Sequence, residues 1–100
     1  MVARIWHGKT KADDYEAYTG FLRSVAIPDY EETEGFVKLT FLRRLEGQVA
    51  HFDLITFWQD LEAIKNFAGA DYEIAKYYPE DEGFLLEFEE KVTHHDVFAE

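Results

Sequence analysis

Apolar side chains recur along this chain with two different periods. From Val2 to Lys9 the residue types are those of an extended segment, and Thr10-Lys11-Ala12-Asp13 then sets an acid three positions after a hydroxyl, a helix-start signal. Tyr15, Tyr18, Phe21/Leu22 and Val25 follow at three- and four-residue spacing. This predicts a helix over about 11 to 26 with one apolar stripe, ended where Pro28 interferes with regular helix. Gly35 precedes Phe36 to Leu42, and Glu46-Gly47-Gln48 separates that run from Val49 to Trp58. Two strands joined by a short glycine-containing turn predict a β-hairpin. Asp60 can cap a second helix that turns Leu61, Ile64 and Phe67 inward. Gly69 can end it, and Asp71 can start one more turn through Tyr77 before Pro79. After the acidic stretch Glu80 to Gly83, about Leu86 to Phe98 returns as a last strand.

The resulting order is β-α-β-β-α-β in one domain spanning 1–100, with no internal repeat or linker. Its fold class is α+β, a ferredoxin-like antiparallel sheet with the helices on one face. Alternation puts Phe52, Leu54 and Trp58 on one side of a strand and Ile55 and Phe57 on the other, and separates Ile5 from Trp6. Both sides are apolar, yet two helices cover only one. A second copy of the sheet is the economical cover, so a homodimer is expected, with Trp6 at the dimer interface and His7 alternating away from it.

Composition narrows the chemistry. The chain has 47% hydrophobic and 17% aromatic residues, enough to pack a core, and no cysteine. That excludes disulfides, thiolate nucleophiles and cysteine metal sites. Residues 1–50 carry 7 basic and 8 acidic side chains and residues 51–100 carry 3 and 13, for a net charge of -11. Such a surface repels phosphate backbones, so neither nucleic acid nor an anionic membrane is expected as a partner. No run reaches the roughly 18 apolar residues of a membrane span, and the start lacks a signal-peptide core, so a soluble, cytoplasmic location is expected. No Gly-x-Ser-x-Gly elbow or phosphate-cradling glycine loop occurs.

Three stretches carry a family likeness: Ala3-Arg4-Ile5-Trp6-His7-Gly8, His51 to Trp58 running into Gln59-Asp60-Leu61-Glu62-Ala63-Ile64, and Tyr77-Tyr78-Pro79-Glu80-Asp81-Glu82. Through them the whole chain resembles the antibiotic biosynthesis monooxygenase (ABM) family of the dimeric α/β-barrel superfamily. The resemblance implies a pocket between helices and sheet in each protomer and a reaction run without metal, flavin or any other cofactor. In such oxygenases a phenol or quinol is deprotonated, and its anion reduces O₂ directly. The protein supplies a base, an apolar pocket and stabilisation of the anion. A small aromatic molecule is the implied substrate. Haem-degrading members carry Asn, Trp and His where an ungapped match places His7, Phe67 and Tyr77, so that activity is not expected. A competing class is a catalytically silent dimer that binds a small molecule or serves as a stress-associated module.

Histidine, with an unperturbed pKa near 6.5, suits a base at neutral pH. His7, in the first strand, falls where the resemblance places a polar pocket residue, although an ordinary strand-end histidine reads the same. His94 shares a face with Asp96 at i and i+2, as His51 does with Asp53, which lets a carboxylate raise the imidazole's basicity. His94 and His95 point to opposite faces, so no metal site is expected. Trp58, Phe67, Tyr72 and Tyr77 can form a stacking wall for a planar substrate or simply pack the core. The catalytic candidates are therefore His7 and His94.

Overall fold

The computed structural model describes residues 1–100. Strands β1 (Val2–Lys11), β2 (Phe36–Glu46), β3 (Val49–Trp58) and β4 (Thr93–Asp96) form one antiparallel sheet in the order β2-β3-β1-β4. This is the ferredoxin-like α+β arrangement. β1 is central because the β2/β3 hairpin docks on one side of it and β4 returns to the other. Gly47 sits in the hairpin turn at φ +60°, a left-handed conformation that glycine adopts without a steric penalty.

The first helix continues past Pro28. It runs as α1 (Tyr15–Phe21), a π-helical turn over Leu22–Ala26, and α2 (Ile27–Glu32), with Pro28 in the first turn of α2. In the π turn the Ile27 N–H reaches five residues back to the Leu22 carbonyl. The regular ladder has already been widened there, so the proline's missing N–H and bulky ring are accommodated without ending the helix. The expected hydroxyl cap does not form either. Thr10 belongs to β1, and its hydroxyl donates to the Lys11 carbonyl at 2.9 Å.

Helix α3 (Leu61–Ala68) begins as expected, with the Ala63 N–H donating to Asp60 at 2.9 Å, and ends at Gly69 with φ +90°. The turn expected from Asp71 closes once, with the Ile74 N–H donating to the Asp71 carbonyl at 3.0 Å, and does not continue as helix to Tyr77. The Ala75 N–H donates to the Glu90 carbonyl and the Val92 N–H to that of Glu73, both at 2.9 Å. Pairing between these two stretches uses the backbone groups a helix would need, and it shortens β4 to Thr93–Asp96. Residues 85 and 86 instead run along the end of β1, where the Leu86 N–H donates to the Lys9 carbonyl at 2.9 Å. No helix is long and apolar enough to cross a membrane.

The helices cover the sheet face opposite to the one expected. Arg4, Trp6, Gly8 and Thr10 of β1 and Ala50, Phe52, Leu54, Thr56 and Trp58 of β3 are buried beneath them. Trp6 pairs with Leu54 and is 4% exposed within the single chain, so it packs the core and faces no partner. His7 lies on the open face with Ile5, outside the space between helices and sheet. Alternation shows which side chains share a face; when both faces are apolar it leaves open which one the helices take. Gly8 makes room for the Trp6 indole on the covered face. A Cβ there would stand 2.3 Å from the Trp6 ring, so the indole lies in the space that glycine leaves. The open face carries Ile5, Ile55, Phe57 and Leu42 among charged and histidine side chains.

Candidate active site

Between the helices and the sheet, Trp6 and Leu54 form the floor of a small cavity, and Tyr18, Leu22, Ala26 and Tyr30 of the first helix form its wall. Lys76, Tyr78 and Asp81 close it from the segment after α3. Its volume is about 10 Å³. An aromatic ligand therefore enters only as side chains or the 76–81 segment give way.

Asp81 is positioned by its own turn. Residues Pro79–Gly83 form a 3₁₀ turn in which the Tyr78 N–H donates to Asp81 Oδ2 at 2.7 Å. From the first helix, the Tyr18 hydroxyl donates to Oδ1 at 2.7 Å. Both residues are 1% exposed. Burial pushes the Asp81 carboxyl above its ordinary pKa even though both hydrogen bonds favour the anion. The same burial, with the adjacent Asp81, keeps the Tyr18 phenol firmly protonated. Beside them Asp29 accepts from the Tyr78 hydroxyl at 2.6 Å and from Lys76 at 2.9 Å. Burial opposes the Asp29 charge, but these two donors outweigh it and its pKa is lowered. Tyr30 is pushed up to about 12 by burial, and Trp6 Nε1 is buried without a hydrogen-bond partner. The cavity thus combines aromatic walls, three phenols held protonated, and one carboxyl of raised basicity.

The other sheet face holds a separate chain of polar groups. His7 Nδ1 meets Glu89 at 2.5 Å, His7 Nε2 meets His51 Nδ1 at 3.2 Å, and His51 Nε2 meets Glu46 at 3.2 Å. Only one hydrogen fits between the two facing ring nitrogens, so each imidazole constrains the other's tautomer. This chain lies across the sheet from the cavity, and a ligand in the cavity cannot touch His7.

The remaining candidates scatter. Trp58 is fully buried, its indole N–H donating to Thr56 at 2.9 Å, and Phe67 stacks on Tyr30 with centroids 4.4 Å apart. Tyr72 meets His94 edge-on at 5.1 Å beside a larger cavity. Tyr77 packs against Trp6 and Phe88, and its hydroxyl donates to the Glu89 carbonyl. Sequence reasoning passed over Asp81, Asp29, Lys76 and Tyr78 as site residues. The available signal was Tyr78-Pro79-Glu80-Asp81, in which proline stiffens the turn that carries the acid.

Neither a family model nor a curated protein matches the chain in sequence. Solved structures do match in shape. A candidate antibiotic biosynthesis monooxygenase from Nitrosomonas europaea superposes with a TM-score of 0.70, covering 99% of this chain and 100% of that one at 14% identity. The two share one fold. A second protein given that description, from Bacillus cereus, matches this chain with a TM-score of 0.60 over 94% of it and 87% of the neighbour, at 17% identity. A mutant of MhuD with two manganese protoporphyrin IX molecules per active site gives 0.63 over 100% and 97%, at 15% identity. The residues of this cavity do not fit a porphyrin. They include no histidine, the Tyr18 and Tyr78 hydroxyls are already committed to Asp81 and Asp29, and burial keeps the Tyr30 phenol protonated.

Proposed function

We propose that this protein is a cofactor-independent monooxygenase for a small aromatic or quinol-like compound, acting as a homodimer joined through the open sheet face. The observation that carries the reading is Asp81, a buried carboxyl of raised pKa in an aromatic-walled cavity of a chain with the ABM fold. A carboxylate taken out of water is a stronger base than one at the surface, which suits it to accept a phenolic proton. Removing that proton leaves an electron-rich anion. The anion reduces O₂ by one electron, the radical pair joins through a C–O bond, and loss of water from the peroxide leaves a carbonyl. For a ring CH₂ the balance is CH₂ + O₂ → C=O + H₂O, with both electron pairs supplied by the substrate. Tyr18 holds the carboxylate in place, and the aromatic walls exclude water from the anion.

The homodimer rests on Ile5, Ile55, Phe57 and Leu42, which share one uncovered face. Oxygen uptake with a panel of hydroquinones and naphthols tests the activity. Turnover that drops about 10²- to 10⁴-fold in Asp81→Asn, with the fold retained, is the expected outcome. No uptake across the panel, or full activity in Asp81→Asn, rejects it.

A further inference from the structure

Another cleft opens on the helix-covered side, between the first helix and the edge strand β2. It holds about 260 Å³ and lies apart from the Asp81 cavity, with Leu22 the one side chain that lines both. Leu39, Phe41 and Arg43 alternate onto this side of β2, where the register sets them across from Thr56, Leu54 and Phe52. Thr19, Arg23 and Ile27 face them from the helix. In an unbroken α-helix, positions four apart drift steadily round the axis. The π turn over Leu22–Ala26 is wider and offsets that drift, so all three side chains reach one cleft. Its walls are apolar, two of its lining residues are arginines, and none is a carboxylate.

Two cations converging on an apolar cleft stand out in a chain of net charge -11, where most lysines and arginines are paired with acids. Arg23 is exposed at the rim and has no carboxylate partner. Arg43 is held in place: its guanidinium carbon lies 4.2 Å from the Tyr15 ring centroid, and Nη1 donates to Glu16 at 2.8 Å and to Thr19 at 3.0 Å. That leaves its Nη2 and Nε–H groups for a further acceptor. Glu16 offsets one of the two positive charges, so the pair suits a monoanion better than a doubly charged phosphate monoester. Deeper in, the Thr19 hydroxyl is already engaged, donating to the Tyr15 carbonyl at 2.8 Å and accepting from Arg43. Leu22, Ile27, Leu39 and Phe41 offer no polar group, so the enclosed part of a guest is hydrocarbon. The volume is below the drug-sized range and suits about ten non-hydrogen atoms.

We infer that this cleft binds a small monocarboxylic acid with an unsubstituted hydrocarbon tail, its carboxylate held by Arg23 and Arg43 and its tail lying between the first helix and β2. The site does not depend on the oxygenase reading, because it does not include Asp81 and needs no turnover. Octanoate is the probe and octanamide its neutral counterpart. In the unaltered protein, titrated octanoate should shift the methyl resonances of Ile27 and Leu39 and leave those of Ile5 and Ile55 on the open face in place. Arg23→Gln should weaken octanoate binding about fivefold, the upper end for an exposed ion pair, and leave octanamide binding unchanged. Its melting temperature should stay level, because Arg23 is exposed and bonds to no other side chain. The double variant Arg23→Gln/Arg43→Gln should bind octanoate no better than octanamide. Octanamide binding to the unaltered protein as tightly as octanoate, unmoved Ile27 and Leu39 methyls, or unchanged octanoate affinity in Arg23→Gln would each overturn the inference. Should the double variant fail to fold, Arg23→Gln and the titration of the unaltered protein still decide.

Discussion

Replacing Tyr18 with phenylalanine removes one hydroxyl from the interior and nothing else. That hydroxyl is one of two groups donating to Asp81, at 2.7 Å, and both residues are 1% exposed. A hydrogen bond to a charged group contributes about 1.5–3 kcal/mol, and no solvent is at hand to replace this donor. Taking about 2 kcal/mol, and 4–8 °C per kcal/mol for a domain near this size, Tyr18→Phe should lower Tm by about 8–16 °C. Because the lost bond had favoured the Asp81 anion, its pKa should move further up, carrying the acidic limb of any rate profile with it. Urea and thermal melts of Tyr18→Phe, Asp81→Asn and the double variant measure the coupling directly. A Tm drop under about 3 °C, or strictly additive single effects, would refute a structural pair at this site.

Further expectations follow from other positions. Ile55→Glu places a charge at the centre of the open face and should halve the mass of a dimeric species in light scattering, while the circular dichroism spectrum stays native. A species of monomer mass, 11.7 kDa, before substitution would reject the dimer instead. Gly35→Ala imposes a side chain at φ +89° and sets its Cβ 2.3 Å from that of Ala63. It should push α3 off the start of β2 and cost about 1–3 kcal/mol in chemical denaturation. His94 is depressed below its ordinary 6.5 by burial and by Arg4, with His95 adding to the effect and Glu73 opposing it. The unfolded chain therefore takes up the proton first, and stability falls as pH drops below 6.5. His94→Gln should flatten that part of the stability profile, and an unchanged slope would show that other groups set it.

Residue types and spacing were enough for the β-α-β-β-α-β order. Gly47 between two extended runs, Asp60 ahead of a helical stripe and Gly69 behind it are local signals, and each acts through the backbone conformation of its own few residues. Alternation likewise identified a sheet apolar on both sides. Where neighbouring segments compete for the same backbone groups, local reasoning stopped. Residues 71–77 carry a helix-start signal, yet after one turn bond from the Ile74 N–H to the Asp71 carbonyl their pairing is with 90–92, a partner close in space and distant in sequence. Pro28 reads as a helix end until the π turn before it is known. The site followed the same division. Histidines are conspicuous in a sequence because of their pKa, but the fold turned His7 to the open face. Asp81, one of 21 acidic residues, gained its basicity chiefly from burial among Tyr18, Tyr78 and Trp6. A carboxylate's pKa is a property of its surroundings, and those surroundings are assembled from residues more than sixty positions apart.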